Sequence, residues 1–190
     1  MKTILQVEDD PNDVFFLQRA MKKAGVPNPT QVACDGQQAI DYLRGAGKFA
    51  DREQFPLPAL VLLDLKLPYV MGMEVLRWIR QQPGTPMVVV ILTASSEEQD
   101  IAAAYRLGAN GFLVKPSEAG KLDDLVKAIR DFWLTHNVLP RESYNERANA
   151  YSHPASPAGN GAPTTIGTHR EEWHPMLSKQ SYEKAHSLHL

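Results

Sequence analysis

Apolar positions follow two rhythms along the first 140 residues. Unbroken apolar runs stand at 60–63 (LVLL) and 87–92 (MVVVIL), and mainly apolar stretches at 3–7, 30–34 and 111–114. A continuous run of this kind fits a strand buried on both faces. Between the runs, apolar residues recur at helical spacing. Val14, Leu17, Met21 and Ala24 form one stripe, and Val75, Leu76 and Ile79 another. Leu122, Leu125, Val126, Ile129 and Trp133 mark the last, over 118–135. Helices are also expected over 37–43, 73–80 and 97–107. Five strand-then-helix units imply an α/β domain with a doubly wound parallel sheet covered on both faces. The expected strand order is 2-1-3-4-5, with the ligand crevice between strands 1 and 3.

Local signals agree with this division. Asp10 can cap the first helix, with Pro11 at its first position and Asp13 as a first-turn acid, and Gly25 can end it. Ser95 or Ser96 can cap the fourth. Residues 44–56, RGAGKFADREQFP, read as a polar insertion before the third strand. Composition changes near residue 140. Residues 141–165 have almost no aliphatic content and carry several prolines and glycines, which reads as a tail of low order. Residues 166–190 hold too few apolar side chains for a second core. The domain is therefore expected over 1–140 and the tail over 141–190.

The whole chain has 190 residues and a net charge of −2, so it carries no basic footprint for nucleic acid. Its single cysteine, Cys34, excludes an internal disulfide and is expected to act as a small core hydrophobe. The first apolar run is too short for a signal peptide or a membrane span. A cytoplasmic protein without membrane contact is the expectation.

Polar residues collect where the expected strands end. Glu8, Asp9 and Asp10 follow the first strand and Asp64 the third. Thr93, Ala94 and Ser95 follow the fourth, and Lys115 with Pro116 the fifth. All would meet at one edge of the sheet. Carboxylates about 4 Å apart repel by about 4 kcal/mol at an effective dielectric of about 20. Glu8, Asp9 and Asp64 together therefore call for a cation or a raised pKa. A hard divalent ion such as Mg²⁺ suits oxygen ligands beside phosphate. Thr93 offers a hydroxyl to a phosphate oxygen and Lys115 a point charge. The set reads as phosphoryl transfer to Asp64.

VEDD at 7–10, LLDLKLP at 62–68, ILTAS at 91–95 and LVKP at 113–116 together resemble the receiver domain of two-component response regulators, over about 1–135. The resemblance implies a flavodoxin-like receiver fold with Asp64 as phosphoacceptor. It implies Mg²⁺ held by Asp9, Asp64 and the Lys66 backbone carbonyl, with Glu8 acting through a metal-bound water. Thr93 and the Ala94 N–H would hold the phosphoryl group opposite Lys115. Thr93 and Phe112 would form the switch. The Lys115–Pro116 bond would be cis. DDPND at 9–13, the insertion, and FWLTHNVLP at 132–140 further resemble single-domain regulators paired with bacterial phytochrome histidine kinases. That implies a histidine kinase partner of phytochrome type and a homodimer, for which Tyr105, Trp133, Leu134 and Val138 offer an apolar patch.

Two other readings compete. A haloacid-dehalogenase-type phosphatase also uses a strand-end aspartate, but wants a second aspartate two residues later, where this chain has Lys66. A regulator with output in its tail is the other. The tail balances five lysines and arginines against five glutamates and shows no helix-turn-helix pattern. Five of the six histidines lie in it, at spacings that fit no standard metal template.

Overall fold

The computed structural model describes residues 2–82 and 87–138. The expectations for 141–190 lie outside the described residues.

Five strands form one sheet in the order β2-β1-β3-β4-β5, and every pairing is parallel. They are β1 (Thr3–Val7), β2 (Thr30–Ala33), β3 (Pro58–Leu63), β4 (Val88–Thr93) and β5 (Gly111–Val114). The helices are α1 (Pro11–Lys23), α2 (Gly36–Arg44), α3 (Gly72–Gln81), α4 (Glu98–Arg106) and α5 (Ala119–Ile129). β1, β3 and β4 are buried at every position, which is why β3 and β4 read as apolar runs, whereas β1 buries the polar Thr3 and Gln6 among its apolar residues.

Alternation along the strands sends side chains into two separate cores. Ile4, Leu60, Leu62, Val90 and Leu92 meet Leu17, Ala20 and Met21 of α1 and Val126 and Ile129 of α5. Leu5, Val7, Val61, Leu63, Val89 and Ile91 face the other way, onto Ala39 and Leu43 of α2, Val75, Leu76 and Ile79 of α3 and Ala104 of α4. Two helices thus cover one face of the sheet and three the other.

α1 starts as expected: the Asp10 side chain accepts from the Asn12 N–H at 2.8 Å, and Pro11 opens the helix. At α4 the cap falls one residue beyond the expected Ser95 or Ser96. The helix is preceded by Glu97, whose N–H donates to the Ser95 hydroxyl at 3.3 Å. The last helix differs from a uniform rod. Its α-helical part ends at Ile129 and Arg130–His136 continue as a π-helical turn, where the Asn137 N–H bonds the Phe132 carbonyl.

Three expectations need correction. Cys34 is exposed and not part of the core, because β2 ends one residue earlier at Ala33 and Cys34 turns outward. No cis peptide bond occurs among the described residues, so Lys115–Pro116 is trans. The insertion is less polar than its composition suggests. Gly47–Phe49 form a 3₁₀ turn, Phe49 is buried, and its ring packs on Tyr42 and Phe55. Arg52 fixes this segment by donating to the carbonyls of Tyr42, Leu43 and Phe55 at 2.8, 2.7 and 3.2 Å.

Candidate functional site

The C-terminal ends of β1, β3, β4 and β5 deliver Glu8, Asp64, Thr93 and Lys115 to one edge of the sheet. Neighbouring strands set this spacing: the Asp64 N–H bonds the Val7 carbonyl at 3.1 Å, and the Lys115 N–H bonds the Thr93 carbonyl at 2.7 Å. Glu8, Asp64 and Thr93 are buried, and Lys115 is nearly so. The Lys115 ammonium is the centre of the cluster. It donates to Glu8 Oε2 at 2.5 Å, to Asp64 Oδ2 at 2.7 Å and to Asp13 Oδ2 at 2.8 Å.

Asp13 is the member that sequence reasoning missed. Its position in the first turn of α1 explained it as a helix-dipole charge. The signal that could have found it is its place one turn beyond Glu8–Asp9, on the helix that starts directly over the site. Asp9, by contrast, is exposed and stands apart from the lysine's three partners. Among the described residues no three Asp, Glu, His or Cys side chains gather as a ligand set, and Glu8 and Asp64 accept from the Lys115 ammonium. The donor chemistry still fits a hard cation. Glu8 and Asp64 are buried oxygen donors on adjacent strands, and Asp9 follows Glu8 in the chain.

The backbone after β3 folds back over Asp64. The Lys66 N–H donates to Asp64 Oδ1 at 3.2 Å, so here Lys66 contributes its amide to the carboxylate. Tyr69 adopts a left-handed φ of 63°, an uncommon state for a side-chain-bearing residue, and is 89% exposed. Gly72 then brings α3 against the Asp64 backbone, with its N–H on the Leu65 carbonyl at 3.0 Å. Gly36 lets α2 approach the Val70 carbonyl in the same way. Neither glycine was singled out from sequence.

On β4, Thr93 is fully buried, and its hydroxyl accepts from the Ser95 N–H at 3.4 Å. Ser95 is in turn tied to α4, its hydroxyl donating to Asp100 at 2.6 Å. Ala94 is exposed at the rim. Phe112 is half-buried on β5 and packs against the core on the α2–α4 side.

Charge in the cluster is unequal, with three carboxylates sharing one ammonium. Burial pushes the Glu8 carboxyl up from its ordinary range, and the nearby Asp64 charge adds to this, against the lowering effect of Lys115. Burial alone would lower the Lys115 pKa, but its hydrogen bonds to Asp13, Asp64 and Glu8 outweigh this and hold the ammonium well above the usual lysine range. The two directions are consistent: the lone cation is over-compensated, and the most buried acid is under-compensated.

A family model for the response regulator receiver domain matches residues 4–129. The chain belongs to that family. This receiver domain is 37% identical over 140 residues to the response regulator Rcp1 of Synechocystis sp., covering 73% of this chain and 93% of that protein. Its fold matches the Mn²⁺-bound form of Rcp1 with a TM-score of 0.66 at 37% identity, over 74% of this chain and 99% of that one. It also matches the phosphorylated cyanobacterial phytochrome response regulator RcpA, with a TM-score of 0.67 at 38% identity, over 73% and 98%. No helix among the described residues is long and apolar enough to cross a membrane.

Proposed function

We propose that Asp64 of this response regulator accepts a phosphoryl group from the phosphohistidine of a histidine kinase. The observation that carries this reading is the row formed by Asp64, Thr93 and Lys115 on the adjacent strand ends β3, β4 and β5, with Lys115 bonded to Asp64 at 2.7 Å. A carboxylate oxygen of Asp64 attacks phosphorus. The new O–P bond forms as the N–P bond breaks, and the imidazole leaves with the bonding pair and takes a proton from solvent. Thr93 and the Ala94 N–H receive the phosphoryl oxygens on one side and Lys115 on the other. Glu8, Asp9, Asp64 and the Lys66 carbonyl would hold a divalent cation, Mg²⁺ in the cell. It would neutralise charge on the transferred group; the Mn²⁺-bound form of Rcp1 supports a divalent cation in such a domain.

The domain stores the group as a signal and is not an enzyme with a substrate to turn over. Its kinase partner belongs to the phytochrome class, a reading supported by the likeness to Rcp1 and to the phytochrome response regulator RcpA. The protein works in the cytoplasm, away from membrane and nucleic acid. It signals as a homodimer through the α4–β5–α5 side, where Tyr105, Val138 and, beyond the expected set, Phe132 are exposed. Trp133 and Leu134 are less available, because both pack partly against the α1/α5 core. Thr93 and Phe112 connect the site to that side.

Transfer of labelled phosphoryl from a phytochrome-type kinase tests the reading. Label should enter the wild type only with Mg²⁺ present and should not enter Asp64→Asn. Unchanged labelling of Asp64→Asn would overturn it.

A further inference from the structure

Asp13 has no part in the phosphotransfer scheme above, yet it takes one of the three bonds on Lys115. A helix-dipole role would leave its carboxylate free in solvent at the start of α1. Instead the side chain is 43% exposed and its Oδ2 sits 2.8 Å from the ammonium. An ammonium has three N–H donors and no more. In this structure Glu8, Asp13 and Asp64 use all three.

These partners are not equivalent once the site works. Asp64 gives an oxygen to phosphorus. Glu8 is drawn toward the cation. Two of the lysine's three bonds are then surrendered or shared. Lysine carries a compact, strongly hydrated charge on a flexible stem, so until the phosphoryl oxygens reach it the loosened head group is drawn to water. Space for that retreat adjoins the site. Lys115, Asp13 and Glu8 border a cavity of about 500 Å³ that continues between α1 and α5 past Leu17, Leu92 and Leu122.

We propose that Asp13 is a positioning residue that keeps the Lys115 ammonium in the site while Asp64 and Glu8 release it. The inference rests on the phosphotransfer reading. Asp13 comes from α1 and not from a strand end, so its hold on Lys115 is independent of the residues that change partners. It touches neither phosphorus nor the cation, and acts only through the lysine.

The test uses the full chain with saturating Mg²⁺ and acetyl phosphate, a small donor that needs no kinase docking. Asp13→Asn should accept phosphoryl about tenfold more slowly, the loss expected for one charge-assisted hydrogen bond. Asp13→Glu should recover most of the rate. In a Lys115→Ala background, Asp13→Asn should change nothing further. Equal slowing in both backgrounds would overturn the inference, since Asp13 would then act by its field alone. A normal rate for Asp13→Asn would also overturn it, leaving Asp13 as a kinase contact or a helix-dipole charge. A second measurement does not depend on rates. With ¹⁵N-labelled lysine, Mg²⁺ and beryllofluoride as phosphoryl mimic, the Lys115 ammonium signal should persist in wild type and vanish by solvent exchange in Asp13→Asn. Its persistence in the variant would sink the proposal. Failure of the wild type itself to take phosphoryl on Asp64 would instead remove the phosphotransfer reading.

Discussion

A Cβ placed on Gly72 would lie 2.0 Å from the backbone carbonyl oxygen of Asp64 and 2.8 Å from the Leu65 Cα. Both neighbours are main chain, so no side-chain rotation relieves the overlap. Gly72→Ala must therefore push the start of α3 away from the exit of β3. The expected loss is about 1–3 kcal/mol of stability, the usual cost of overpacking. A lower urea midpoint and slower phosphorylation of Asp64 should appear together. An unchanged midpoint would show that α3 shifts freely.

Glu8→Gln should act in opposite directions on stability and on metal binding. Burial first, and then the Asp64 charge, raise the Glu8 carboxyl, so its ionised form is disfavoured in the folded state. A raised acid binds protons more readily folded than unfolded. Its contribution to stability therefore falls as pH rises from the ordinary carboxylate range through the raised value. Glutamine removes that loss. The variant should melt higher than wild type at neutral pH without metal, and should bind Mg²⁺ more weakly. A lower melting temperature without metal would contradict the charge balance described for the site.

Lys115→Met should leave Glu8 and Asp64 buried without their cation. Removing one partner of a buried ion pair typically costs about 3 kcal/mol or more. Excess Mg²⁺ should return much of this, about 2.7 kcal/mol at a hundredfold over its Kd. In wild type the lysine's contribution is present below the ordinary lysine range and is lost as pH rises through its elevated folded value. Denaturant curves taken with and without Mg²⁺, and into alkali, measure both effects. A Mg²⁺-independent loss would place the lysine's role outside the carboxylate cluster.

Arg52→Ala should loosen the insertion before β3 while leaving the phosphorylation site intact. Three carbonyls at the end of α2 and in the insertion depend on its guanidinium. Hydrogen bonds to a charged group contribute about 1.5–3 kcal/mol. Faster hydrogen exchange over 42–55, with an unchanged rate of phosphotransfer, is the expected result.

The sheet was legible because β3 and β4 are buried on both faces and read as apolar runs, although β1, equally buried, carries Thr3 and Gln6. The start of α1 was legible because Asp10 and Pro11 act through local geometry alone. The four strand-end groups were legible for a topological reason, since a parallel sheet brings all its C-terminal ends to one side. What failed depends on long-range packing. Phe49 belongs to an aromatic trio, two of them buried and Phe55 partly so, whose members come from α2 and the insertion, a grouping no periodicity reports. Cys34 sits one residue past an edge strand, where a single step reverses inside and outside. Asp13 carries a helix-start signal that is genuine, and that signal concealed a partner 102 positions away.

The short chain of bonds from Thr93 to α4 has a mechanical consequence. Its first link, Ser95 N–H to the Thr93 hydroxyl, is long at 3.4 Å, and its second, Ser95 to Asp100, is tight at 2.6 Å. Under the proposed phosphotransfer, a pull on Thr93 would break the slack joint and leave the taut one whole. Thr93 can therefore be recruited without tearing the first turn of α4. The helix would keep its shape while giving up one hydrogen bond to the end of the strand, like a latch lifted from a door that stays rigid.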